Sequence, residues 1–149
     1  NFRLDIENDQ IPVSVDVRQI SQVLTNLIRN SIDAIDGREG LKTEALSAGD
    51  IYLRTFIEGE NAVVQITDNG KGLPIEERSQ LTEPYVTTRT KGTGLGLAIV
   101  KTIIEDHRGS IELVDRTTKP GTIVSVKIPI FLDSVKSSTL SGDGVINDN

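Results

Sequence analysis

Three short runs of this sequence carry side chains and backbone suited to holding a flat, highly charged small molecule. They are the amides Asn26 and Asn30, the loop Asp68-Asn69-Gly70-Lys71-Gly72, and the loop Gly92-Thr93-Gly94-Leu95-Gly96-Leu97. The two asparagines belong to a stripe of Gln19, Gln22, Asn26, Asn30 and Asp33 that recurs at helical spacing. Solvated helix faces ordinarily use Lys and Glu, and Asn is a poor helix former. Two asparagines four apart therefore read as a local cost accepted for a purpose. An amide oxygen facing a metal-bound phosphate is one such purpose, because Mg²⁺ takes hard oxygen ligands and keeps several waters. An ordinary solvated face is the alternative.

In the second run, Gly70 and Gly72 would let backbone approach a planar ligand while Asp68 accepts a hydrogen bond from it, as from the exocyclic amine of a base. A plain Asn-Gly turn is the alternative. A calcium loop is excluded, since the alternating oxygen ligands after Asp68 are missing. In the third run, glycines opening an apolar helix would leave backbone amides free to attract anions; a flexible hinge is the alternative. A dinucleotide fingerprint needs G-x-G-x-x-G after a strand, with an acidic residue about 20 positions on. Asp115 stands at roughly that distance, but the spacing here is G-x-G-x-G and residues 87–91 are polar.

Other chemistries find little to work with. The chain has no cysteine, and its one histidine, His107, falls at a helix C-terminus, where a stabilising surface role is expected. No Walker A sequence is present. A net charge of -6 and 3% aromatic residues speak against nucleic-acid binding. No apolar stretch approaches the roughly 20 residues of a membrane span, so a soluble, cytoplasmic chain is expected.

The positioning elements follow from periodicity. Residues 2–6 and 11–15 alternate and read as one or two short strands, and Asp16 is a suitable N-cap for a long helix ending near Ile35. Residues 36–49 read as a loop with at most a short helical turn. Strands are predicted over 50–57, 61–67, 110–115 and 122–130, with a short helix over 74–81 and a mobile loop over 83–94. A second helix runs over 95–106, with Gly109 as its stop. This mixture makes a two-layer α/β (α+β) sandwich of residues 1–131, and the Ser/Gly/Asp-rich residues 132–149 are expected to be a disordered tail.

In their order and spacing, the three runs resemble the N, G1 and G2 boxes of the histidine-kinase ATPase family, whose Bergerat fold is shared with gyrase B, Hsp90 and MutL. The stretch Glu83-Pro-Tyr-Val-Thr-Thr-Arg-Thr-Lys-Gly92 is similar to the lid of nitrogen-regulation kinases of the NtrY type. The resemblance implies a mixed sheet packed on helices, with ATP held under a flexible lid. It makes Asn30 the Mg²⁺ ligand and Asn26 its neighbour on the phosphate side. Asp68 becomes the adenine-recognising carboxylate, with Gly70 and Gly72 lining the base pocket. Thr88, Arg89, Lys91, Gly92, Thr93, Gly94, Leu95, Gly96 and Leu97 fall on the triphosphate side. Asp33 departs from the Lys or Tyr often found at its position and is assigned no contact. Hydrolysing members of the family place a Glu where this chain has Asn26, and an amide cannot act as a general base. The resemblance therefore implies a protein-histidine kinase whose phosphoacceptor histidine lies elsewhere, on a dimerising hairpin of a parent homodimer that an inner-membrane anchor could hold. A response regulator would be the onward partner. An ATP-driven conformational switch of the same fold and a non-catalytic nucleotide-binding module are the alternatives.

Overall fold

The computed structural model describes residues 1–7, 10–40, 48–74, 82, 95–117 and 119–131. The expected helix over 74–81, the loop over 83–94 and the tail over 132–149 lie almost wholly outside them, and so do Thr88, Arg89, Lys91, Gly92, Thr93 and Gly94. Five strands form one mixed sheet: β1 (Phe2–Ile6), β2 (Ile51–Glu58), β3 (Asn61–Asp68), β4 (Ser110–Asp115) and β5 (Thr122–Pro129). Their spatial order is β1-β2-β3-β5-β4, with β1 parallel to β2 and every other pairing antiparallel. Among the described residues two helices, α1 (Val17–Asp36) and α2 (Gly96–Asp106), cover one face, so the predicted two-layer sandwich is what forms. A short 3-10 turn over Gly37–Gly40 follows α1, within the loop the sequence predicts.

The apolar period of α1 turns Val23 and Leu27 into the core, where they meet Val100, Ile103 and Ile104 of α2 and Ile51, Leu53, Ile66, Val124, Val126 and Ile128 of the sheet. Each fully buried aliphatic chain contributes about 1.5–3 kcal/mol of burial, so this cluster fixes the helices on the sheet. Val63 is buried as well, but its register opposite Phe56 and Lys127 puts it on the sheet's other face, where those long side chains flank it.

The opening forms one strand rather than two, and one expectation needs correction. Residues 11–15 do not form a strand; only Val13 pairs, through a single bridge to Ile130. Pro12 has no N–H to extend a ladder, although its carbonyl accepts from Phe131 at 2.9 Å. Gly109 is not the left-handed stop of α2 either. Arg108 takes that conformation, at φ 59°, and the N–H groups of Arg108 and Gly109 bond the carbonyls of Glu105 and Ile104, both at 2.8 Å. These are the two bonds of a Schellman cap. Glycine is required at 109 for space, because a Cβ there would sit 2.3 Å from the Lys127 carbonyl oxygen.

Asp16 caps α1 as expected, its Oδ1 accepting from the N–H groups of Arg18 and Gln19 at 2.8 and 3.1 Å. His107 ties the far end of α2 to this cap. Its Nε2 accepts the Asp16 N–H at 2.9 Å, while Nδ1 lies 2.7 Å from the Ile103 carbonyl oxygen. The tautomer with hydrogen on Nδ1 satisfies both bonds at once. The structural role expected of His107 is the one observed, with the ring half-buried rather than out on the surface.

The Arg108–Gly109 cap makes opposite predictions at adjacent positions. Arg108→Gly removes a side chain from left-handed backbone and should raise stability by about 1 kcal/mol. Gly109→Ala drives a methyl into β5 and should lower it by about 1–3 kcal/mol. Urea titrations of the two variants check both signs.

Candidate nucleotide-binding site

The site is organised around a carboxylate that the fold buries. Asp68 ends β3 on the helix-facing side and is 3% exposed. A buried carboxylate is tolerable only when hydrogen-bonded. Its Oδ1 accepts the N–H of Gly70 at 2.8 Å and the N–H of Thr122, the first residue of β5, at 3.2 Å. The hydroxyl of Ser31, on α1, donates to the same carboxylate. Burial nevertheless pushes the Asp68 carboxyl above its ordinary 3.8, and the three hydrogen bonds and the nearby Arg116 offset that only in part.

Close packing fixes the loop that follows. At Gly70 a Cβ would come within 2.6 Å of the Ala34 side chain and 2.7 Å of its backbone, so only glycine lets the loop lie on α1. The N–H of Lys71 then donates to the Ala34 carbonyl at 3.0 Å. Asn69 secures the other side: its Oδ1 accepts from Asp50 N at 2.8 Å and its Nδ2 donates to Ala48 O at 2.9 Å. Arg38 joins helix and loop by donating to the carbonyls of Ile35 and Asn69 at 3.1 and 3.0 Å. On the β5 side, Gly121 crosses Asp68 so closely that a Cβ would lie 2.0 Å from the Asp68 carbonyl oxygen.

Asn26 and Asn30 lie half-buried on α1. Asn30 is adjacent to Ser31, which bonds Asp68, and its Oδ1 lies 3.9 Å from where a Cβ on Gly96 would be. The amide stripe, the aspartate loop and the start of α2 thus meet along one stretch of α1. The two helices differ in how they begin. Where α1 is capped by a carboxylate, α2 starts after Leu95 with no side-chain cap and no acidic residue in its first turn. Among the described residues, no side-chain cap and no first-turn carboxylate therefore compensates the positive end of this helix, which begins beside Asn30.

The predicted stripe is not one site along its whole length. Gln19 and Gln22 face α2 across a groove of about 340 Å³ also lined by Leu95, Ala98, Ile99, Thr102 and Ile103. Ser31 lies about 18 Å along α1 from Gln19 at 1.5 Å per residue, so that glutamine is set apart from Asp68, while Leu95 carries the other end of the groove to the start of α2. Asp33 is exposed at the opposite end of the stripe.

Sequence reasoning passed over Ser31, Thr122 and Arg116. Ser31 had a readable signal: it follows Val23 and Leu27 at four-residue intervals on the core line of α1, where a small polar residue needs an internal partner. Thr122 follows the predicted turn at Gly121, and its partner is 54 residues away in the chain. Arg116 reaches the Asp68 carbonyl at 3.3 Å from just beyond β4.

This fold and this site define a class. Residues 15–131 match the family model described as histidine kinase-, DNA gyrase B-, and HSP90-like ATPase, and the chain belongs to that family. It is 50% identical over 105 residues to nitrogen regulation protein NtrY of Azorhizobium caulinodans, covering 70% of this chain and 13% of that protein. It is 34% identical over 117 residues to sporulation kinase B of Bacillus subtilis, covering 78% of this chain and 25% of that one. The chain thus spans a quarter or less of these curated relatives. Among solved structures, the catalytic domain of histidine kinase ThkA superposes with a TM-score of 0.72 at 31% identity, over 87% of this chain and 78% of that one. ThkA has also been solved in complex with the response regulator protein TrrA, with a TM-score of 0.68 at 27% identity, over 88% of this chain and 34% of that one.

The raised Asp68 carboxyl sets a pH dependence of folding. A folded-state value above the unfolded one means that the fold binds this proton more tightly than the unfolded chain does. The contribution of Asp68 to stability is therefore fully present below the ordinary 3.8 and is lost as pH rises through the higher folded value. Asp68→Asn keeps an acceptor oxygen and has no such titration. Its stability relative to the parent should improve as pH rises across that window, as denaturant titrations at a series of pH values will register.

Proposed function

We propose that the chain binds Mg²⁺-ATP and passes the γ-phosphoryl group to a histidine on the dimerisation hairpin of a two-component sensor kinase. A response regulator then receives the group. In this reading residues 1–131 are the catalytic ATP-binding domain. Asp68 accepts from the exocyclic amine of adenine, and Gly70 and Gly72 line the base. Asn30 holds the metal, and the loop of Gly92, Gly94 and Gly96 meets the phosphates with Thr93, Leu95 and Leu97. Thr88, Arg89 and Lys91 approach the triphosphate from the lid.

The residues fit these groups chemically. Asp68 is a buried acceptor oriented by backbone donors, a carboxylate of the kind that suits a base amine. Among the described residues no group of three or more His, Cys, Asp or Glu could hold a metal. A cation here would therefore be bound by the Asn30 oxygen together with phosphate oxygens and waters, a mode that suits Mg²⁺. When bound, Mg²⁺ neutralises charge that develops on the phosphates. The uncapped start of α2 beside Asn30 favours an anion in the same place.

The observation that carries the kinase reading is Asn26. It lies half-buried on α1 one turn before Asn30, at the position where hydrolysing relatives have a glutamate. An amide cannot take a proton from water, so the phosphoryl group is kept for a protein nucleophile. Transfer itself asks mainly for positioning and charge neutralisation. The sensor-kinase names of the relatives and the ThkA–TrrA complex support the onward partner.

Adding the missing histidine hairpin and γ-labelled ATP should yield acid-labile phosphohistidine, and Asn30→Ala should reduce the yield to background. Absence of labelled histidine with the intact chain would sink the kinase reading, and multiple-turnover phosphate release by the isolated chain would favour a hydrolytic switch. Asp68→Asn should also lower the preference for ATP over GTP by about tenfold, the worth of one charged hydrogen bond. Competition binding measures that ratio.

A further inference from the structure

Asp115 closes β4 at the same end of the sheet as Asp68, and it pairs with Thr122 across β4 and β5. Thr122 is the residue whose N–H bonds Asp68. The sequence makes Asp115 conspicuous for its distance from the glycine loop, but the antiparallel β4–β5 pair leaves no dinucleotide-binding unit for it to serve. Its carboxylate is used differently. Oδ1 accepts the N–H of Leu73 at 3.1 Å, and a Cβ on Gly72 would lie 3.5 Å from that same oxygen. Gly72 has a φ of 83° and is flanked on its other side by Gly121, whose backbone N and O would lie 3.8–3.9 Å from that Cβ.

One loop is therefore held at both ends by carboxylates from two different strands. Asp68 holds Gly70, and Asp115 holds Leu73 and the wall of Gly72. Arg116, the next residue, reinforces the brace: its N–H donates to Gly121 O at 3.1 Å and its Nη1 to Asp68 O at 3.3 Å.

We infer that Asp115 is a positioning residue for the base of the bound nucleotide. By fixing the Gly72–Leu73 peptide against β4, it sets the height of the wall on which adenine rests. This inference builds on the ATP-binding reading and adds a determinant outside the three sequence boxes. The Leu73 N–H is a neutral donor that an acceptor oxygen satisfies, so asparagine should serve it and alanine should not. The brace lies at the base end, so the phosphates gain nothing from it. Loss of the brace should weaken ATP, ADP and adenosine alike.

The test is titration calorimetry of the full chain and of Asp115→Ala and Asp115→Asn with each of the three ligands, alongside hydrogen exchange at the Leu73 amide. Asp115→Ala should raise all three dissociation constants by a common factor of about ten, and its Leu73 amide should exchange faster. Asp115→Asn should stay within about twofold of the parent. Unchanged affinity in Asp115→Ala, a loss confined to ATP, or equal damage in both variants would each overturn the assignment. A parent chain that binds none of the three would remove the ATP-binding reading and this one with it. If Asp115→Ala fails to fold, Asp115→Leu, close in size and without an acceptor oxygen, is read in its place: a common loss of affinity for the three ligands with faster Leu73 exchange upholds the brace, and parent-like affinity overturns it.

Discussion

Burying a carboxylate next to a hydrophobic core is costly, and most of the local structure around Asp68 follows from meeting that cost. A lone charge would be expelled or protonated. Here it is retained by two backbone N–H groups and a serine hydroxyl that come from three separate elements. Each donor brings a steric condition. Gly70 can donate only if its loop lies on Ala34, and Thr122 only if Gly121 crosses the Asp68 carbonyl, and at both contacts a Cβ would collide. The glycines are thus consequences of the buried charge as well as of any ligand.

The helix that supplies Ser31 is also the one that carries Asn26 and Asn30, so its placement couples the two halves of the site. α1 is held at its start by Asp16 and, through Asp16, by His107 at the end of α2. It is held at its far end by the Lys71–Ala34 and Arg38–Asn69 bonds. Between these anchors Val23 and Leu27 seat it on the sheet. A rotation that exposed Asn30 would pull Ser31 from Asp68, since the two residues are adjacent on one helix. Rigid coupling of this kind is how sites on helices and strands hold geometry more closely than sites on loops do.

What could be read from the sequence was whatever a local rule governs. The 3.6-residue period of α1, its Asp16 cap and the five strands that form stand within a residue or two of expectation. The aspartate loop and the start of α2 were legible as box-like motifs, and they do converge on α1. What was missed depends on contacts distant in the chain. Thr122 meets Asp68 across 54 residues, and Asp115 meets Leu73 across 42. Gly109 was read as a conformational stop because glycine usually is one, yet its contact is with Lys127 on β5. The 11–15 segment alternates like a strand, but periodicity does not register the N–H that Pro12 lacks. Gln19 and Gln22 share the period of the asparagines without sharing their surroundings, since a stripe specifies a face of the helix and not what packs against each length of it.

A chain with a net charge of -6 is an unpromising host for a triphosphate, and the way it distributes its charges resolves the conflict. Two carboxylates described at this end of the sheet are occupied with backbone donors: Asp68 with Gly70 and Thr122, Asp115 with Leu73. Asp16 spends its charge on the N-terminus of α1, which is thereby closed to other anions. The start of α2 has no carboxylate in its first turn and no side-chain cap, and it stands beside Asn30, a neutral amide. Replacing Asn30 by the Glu or Asp common on helix faces would set a negative charge against that terminus. A neutral amide at 30 adds no negative charge beside that terminus, and on the proposed reading its oxygen is also the ligand for a hard cation. The poor helix propensity of asparagine is the cost that arrangement accepts, and it is small, a few tenths of a kcal/mol, roughly 0.5, at each position.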